Sequence, residues 1–181
     1  VRRGPATLLL LAAGTAIVSA AAHSVIEQRQ EAMKAMAGSA KTIGEMFQGK
    51  RPYDAATFEA AAELIASRSG KPMLEAFPAG STGFGSDAAE KIWADWNEFA
   101  ILAERLSALG TALAADAAGS PDAIGNDMRM KPGAMAGGSL LGGRRTPLSE
   151  AEIASQPAEH VYHLMLETCT SCHAKFRVRR K

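Results

Sequence analysis

Cys169-Thr170-Ser171-Cys172-His173 is the stretch on which the reading of this chain turns. It is a C-x-x-C-H run, the attachment signature of a c-type haem. Two thiols three positions apart lie on one helical turn, so each can add across a haem vinyl group to form a thioether. The histidine that follows is then held beneath the iron and offers an imidazole nitrogen as its fifth ligand. Cys169 and Cys172 are the only two cysteines in the 181 residues. A structural disulfide or a thioredoxin-like redox pair would use the same spacing. Neither gives His173 a role, and no βαβ pattern surrounds the motif. A zinc site needs more soft ligands than two Cys and one His close by.

Outward from the motif, the composition favours helices. Ala, Leu and Met are prominent, aromatics are 6% of the chain, and long β-branched runs are missing. The length suits one domain with its own core. Twenty Lys and Arg face 19 Asp and Glu, a formal charge of +1. Without Arg2 and Arg3 the sign reverses. No overall field argues for nucleic acid, and electrostatic docking has to come from local patches.

Residues 1–22 read as a secretory signal peptide. Arg2 and Arg3 form the positive start, Ala6 to Ala22 is almost wholly apolar, and Val18-Ser19-Ala20 or Ala20-Ala21-Ala22 offers small residues for cleavage. An uncleaved anchor is the alternative, at the short limit for a span. Export fits the motif, because c-type haem is attached outside the cytoplasmic membrane. In a Gram-negative bacterium the destination is the periplasm, with no membrane contact after cleavage.

Residues 23–181 then read as four helices. The first is expected from Ser24 to Gln48, with an apolar stripe of Ile26, Met33, Met36, Ala37, Ala40, Ile43, Gly44 and Phe47. The small residues Ala37, Gly38 and Ala40 would let a planar ligand lie close to the backbone. Arg29 sits one turn before Met33 and projects to the same side. Asp54 is the N-cap of a second helix, Ala55 to Ser69, with Phe58, Ala61, Ala62 and Ile65 inward. Gly70 and Lys71-Pro72 end it, and 71–86 is a long connection. A third helix, capped by Ser86 or Asp87, reaches Ala118. Its Trp93 and Trp96 are core residues or haem contacts.

Gly119 to Pro147 loses all apolar periodicity and reads as a flexible insert. Its Met128, Met130 and Met135 are loop methionines rather than a metal site. The last helix starts near Pro157, with Ser155 as its cap, and carries the motif to about Arg177. Four helices with the cofactor site on the last give an all-α fold, an antiparallel four-helix bundle with covalently bound haem c inside.

The sixth ligand decides the function. His160 and His163 share a helix with His173, about 15 Å or more along its axis, and cannot reach the opposite face of the porphyrin. His23, at the processed terminus, would be poorly held. That leaves thioethers from other helices. Met33 is best placed, mid-helix on the inward stripe. Met36 is the fallback, and Met46 is near the helix end.

These residues resemble the class II c-type cytochromes, the cytochrome c prime family. The resemblance rests on the C-terminal motif followed by Phe176-Arg177, on Ile92-Trp93, on Arg29-Gln30, and on the Lys50-Arg51-Pro52-Tyr53-Asp54 turn. It covers Ser24 to Ala118 and Glu159 to Arg177. Cytochrome c prime is a standard four-helix bundle, so the fold follows from the resemblance as well as from the helix count. High-spin members leave the distal face open and bind NO or CO; low-spin members ligate a Met from helix one and transfer electrons. Arg29-Gln30-Glu31-Ala32-Met33-Lys34 places Met33 at that distal position, which implies the Met-ligated branch with Arg29 near a haem propionate. The chain is then expected to be an electron-transfer protein with His173/Met33 ligation, the alternative being a gas-binding member with an open face. Redox proteins, and a second copy of the chain, are the implied partners. No hydroxyl nucleophile, catalytic carboxylate pair or phosphate-binding loop is evident, so no enzyme is expected.

Overall fold

The computed structural model describes residues 13–82, 85–131 and 148–178. Seven helices are found among them: α1 (Ala13–Phe47), α2 (Ala55–Arg68), α3 (Gly70–Glu75), α4 (Lys91–Ala94), α5 (Trp96–Gly119), α6 (Glu150–Ala154) and α7 (Ala158–Phe176). The long ones, α1, α2, α5 and α7, form the antiparallel bundle. The short ones decorate its ends. None of the described helices is long and apolar enough to cross a membrane. Of the segment read as a signal peptide, residues 1–12 lie outside the described residues. From Ala13 the chain is already helical and continuous with α1.

The periodic stripes build the core. On α2, Phe58, Ala61, Ala62 and Ile65 are buried, and the Asp54 carboxylate accepts from the Thr57 N–H at 2.8 Å. That cap also holds the Asp54 carboxyl below its usual range. On α5 the buried face runs Phe99, Ala103, Leu106, Leu109, Leu113 and Ala117. α2 and α5 pack along their lengths, α1 packs on α2, and α7 on α5. α1 and α7, also neighbours, touch sparingly. Their described contact is near Tyr162, whose hydroxyl donates to the Ala40 carbonyl at 3.2 Å.

Ser155 ends the short α6 rather than capping the last helix, whose N-cap is Pro157. Three further expectations are corrected. Helix two does end near Gly70, but the chain resumes at once as α3, because Gly70 takes a left-handed turn (φ 56) and Pro72 falls in a first turn that asks nothing of its missing N–H. Neither Ser86 nor Asp87 caps the third helix. Ser86 Oγ accepts from the Ala88 N–H, and residues 87–89 pair with the end of α7: Ala89 N–H donates to Phe176 O, and Val178 N–H to Asp87 O. Helix therefore starts only at Lys91, and it breaks again at Asp95 (ψ 41). The third correction concerns the insert. Residues 120–131 are docked, not loose. Met128 is 2% exposed within the core. Arg129 donates to Phe47 O at the C-terminus of α1 (2.6 Å) and to Glu159 Oε1, while Glu159 Oε2 accepts from Met130 N–H. An orphan helix-end carbonyl and a buried thioether thus anchor a stretch with no periodicity of its own. Met135 and the rest of 132–147 lie outside the described residues.

This docking brings Asp127 against Asp116 on α5. Burial, then the Asp127 charge, pushes the Asp116 carboxyl up to about 6. A carboxyl raised in the folded state favours folding at low pH, and that contribution is lost as pH rises from about 4 through about 6. Discounted for partial exposure, the effect is about 1 kcal/mol. Asp116→Asn is therefore expected to raise the melting temperature at pH 7 by about 2–4 °C and to leave it unchanged at pH 4. Melts of both proteins at the two pH values check this, and an equal shift at both would rule out the charge as its cause.

Candidate haem-binding site

Between α1 and α7, beyond the Tyr162 contact, the helices are separated by two adjoining cavities of about 450 and 360 Å³. Met33 and Ala37 of α1, with Cys172 and His173 of α7, line both. Cys169 opens on the smaller one. The motif and the candidate distal methionine, 140 positions apart in sequence, are thus brought to one space.

The walls are largely apolar. Phe77, Ile92, Phe99 and Phe176 close the larger cavity; Ile65, Leu102, Leu106 and Met165 close the smaller. Phe99 is the hub of an aromatic cluster, 4.9 Å from Phe77, 5.6 Å from Trp96 and 5.5 Å from Phe176 between ring centroids. Trp93 and Trp96 line neither cavity. Trp93 Nε1 donates to Phe77 O at 3.1 Å and Trp96 backs Phe99, so both support the wall from behind.

Of the other residues singled out in the sequence, Met36 lines only the smaller cavity, with its sulfur 3.6 Å from Ser69 Oγ. Met46 is core, and His160 and His163 line neither cavity. Gly38 has open space beside it and is not a wall residue. Arg29 is 5% exposed and does face the larger cavity. Its guanidinium lies 4.5 Å over the Phe77 ring and donates to Ser81 Oγ (3.1 Å) and Ser81 O (2.7 Å). It therefore ties the 76–82 connection to α1. That connection, which brings Phe77 to the cavity, carries no periodic signal in the sequence.

Burial sets the chemistry of the motif. It pushes the Cys172 thiol up to about 11, with Cys169 adding to the shift, and it raises Cys169 as well. A C-x-x-C redox centre needs the opposite, a stabilised thiolate, so the thioredoxin-like reading loses its footing. His173 is lowered, by burial first and the Arg177 charge second. Its ring is held neutral, the form that can donate to iron.

The residues fit a haem on their own evidence. The space is within the range of roughly 300–1,000 Å³ common to cofactor sites. It is largely apolar, and it is supplied with two protonated thiols, a neutral imidazole and a thioether.

A protein-family model described as Cytochrome C' matches residues 24–133. Cytochrome c-556 from Agrobacterium tumefaciens (strain B2A) is 36% identical over 81 residues, 45% of this chain and 65% of that protein. The chain thus spans just under two thirds of that relative's length. Cytochrome c' from Rubrivivax gelatinosus is 32% identical over 94 residues, 52% of this chain and 71% of that protein. Among solved structures, a nitric oxide complex of a mutant cytochrome c prime from Alcaligenes xylosoxidans aligns with a TM-score of 0.61 at 22% identity, covering 88% of this chain and 97% of that one. At that identity the likeness is one of fold.

Proposed function

The chain belongs to the cytochrome c prime family, and on that premise we propose that it is a periplasmic electron carrier whose haem c would be held through Cys169 and Cys172, with His173 and Met33 as the residues that would ligate its iron. Family membership carries one covalently bound haem c. The observation that supports the finer reading is that Met33 and His173 line the same two cavities from opposite helices.

The haem supplies a one-electron Fe(II)/Fe(III) couple. The residues of this chain do the rest. Cys169 and Cys172 fix the group to α7. His173 presents a neutral nitrogen. Met33 would offer a soft sulfur donor, suited to a couple of raised potential. Two donors carried on packed helices would move little as the charge on the group changes. Phe77, Phe99 and Phe176 exclude water from one side of the site. Arg29 places a positive charge on the cavity wall, suited to a propionate. Its partners are redox proteins, with self-association a separate expectation, and no substrate is turned over.

A second reading, an open distal face that takes up NO or CO, is kept on one observation. Met33 is only half-buried and borders enough space for a diatomic ligand beside it. Adding CO to the reduced protein separates the two. The carrier is expected to keep its spectrum or change it only slowly, as the sulfur leaves. An immediate, complete shift favours the open face.

A further inference from the structure

We propose that the contact between Tyr162 and Gly44 is the pin that sets both the register and the separation of α1 and α7, and so holds Met33 within reach of the iron. The inference rests on the Met33 reading above. Tyr162 is 8% exposed. Its ring packs 5.6 Å from that of Phe47, and its hydroxyl donates to Ala40 O at 3.2 Å. Gly44 lies directly beneath it. A Cβ built on Gly44 would stand 2.2 Å from the Tyr162 hydroxyl and 3.0 Å from its Cζ. A side chain here would force the seat to shift, because the atoms in the way belong to a rigid aromatic ring held by Phe47 and by the hydrogen bond to Ala40 O.

The position of the contact gives it leverage. Gly44 is eleven residues beyond Met33 on α1, and His173 is eleven beyond Tyr162 on α7. The two helices run antiparallel. Moving from the pin toward Met33 on one and toward His173 on the other is therefore moving in the same direction, by about 16 Å on each. A pin at Gly44–Tyr162 places Met33 and His173 at one level across the cavity. Elsewhere α1 is held mainly by α2 and α7 by α5. Arg129 bridges the far ends of the two helices, from Phe47 O to Glu159, and the Tyr162–Gly44 seat is the direct contact described between them on the cavity side.

Gly44→Ala is expected to force the helices apart and weaken the iron–sulfur bond. Strain of the size that overpacking creates lowers the ratio of Met-bound to Met-free ferric haem roughly tenfold or more. The readout is the far-red charge-transfer band that an iron–thioether bond gives ferric haem, with the reduction potential as a second measure. Tyr162→Phe keeps the ring but drops the tether to Ala40. It is expected to fold normally and to bind CO a few times faster in the reduced state, since CO must wait for the sulfur to leave. Loss of the band in Gly44→Ala, or faster CO binding in Tyr162→Phe should Gly44→Ala not fold, supports the pin. A folded Gly44→Ala variant with lower melting temperature but unchanged band and potential overturns it and leaves Met33 ligation standing. Unchanged CO kinetics in Tyr162→Phe, with Gly44→Ala unfolded, also overturns it. A wild-type protein without the band removes Met33 ligation, and the pin as stated falls with it.

Discussion

A Cys169→Ala/Cys172→Ala variant is expected to retain no covalent haem and to lose most of its cooperative fold. On a denaturing gel its haem-dependent peroxidase stain should drop to background, while either single substitution keeps one thioether and some stain. The structural effect follows from the space involved. The larger cavity alone is about 450 Å³, and at about 24 cal/mol per Å³ an unfilled void of that size corresponds to on the order of 10 kcal/mol as an upper bound. That is comparable to the whole stability of an ordinary domain, roughly 5–15 kcal/mol. Water entering the open side reduces the penalty. Even so, the two facing helices would have little between them except the Tyr162 end. Circular dichroism melts should show a broad, early transition. A variant that still melts sharply at the parental temperature would mean that the bundle does not depend on its cofactor.

Met33→Ala has the second largest expected effect, and it acts on function rather than fold. Met33 is half-buried at the cavity wall, so truncating it removes little core packing. It does remove the soft donor opposite His173. The ferric spectrum should change from six-coordinate low-spin to five-coordinate high-spin, and the reduction potential should fall. If sulfur occupies the iron in all but a small fraction of molecules, freeing that position raises the apparent CO affinity by roughly tenfold or more. Titration of the reduced variant against the parent measures this directly. Met36→Ala is the control. Its sulfur is turned toward Ser69 and lines only the smaller cavity, so the same substitution there should leave the spectrum as it was. A change in Met36→Ala and none in Met33→Ala would move the ligand by one helical turn.

Much of the bundle could be read from the chain because its determinants are local. Asp54 and the Phe58, Ala61, Ala62, Ile65 stripe define α2 with no help from the rest of the molecule. The Phe99-to-Leu113 stripe of α5 is equally self-contained. The motif and Met33 could be placed on helix faces for the same reason. What escaped depends on partners distant in sequence. Arg29 is buried because Phe77 and Ser81, about fifty residues away, come to meet it. Met128 is core because Phe47 and Glu159 hold its neighbours, and no periodicity announces that. The late start of α4 comes from pairing with the end of α7, which a helix-propensity argument cannot see. Phe77 and Phe176 became wall residues through the same long-range closures. The tryptophans, the more conspicuous aromatics in the sequence, stand one layer behind them.

The ferric spectrum of the purified protein at neutral pH tests the central claim most directly. Ligation by His173 and Met33 predicts a low-spin haem with the far-red band of an iron–thioether bond. A five-coordinate high-spin spectrum without that band would contradict it, and would leave a cytochrome with its far face open.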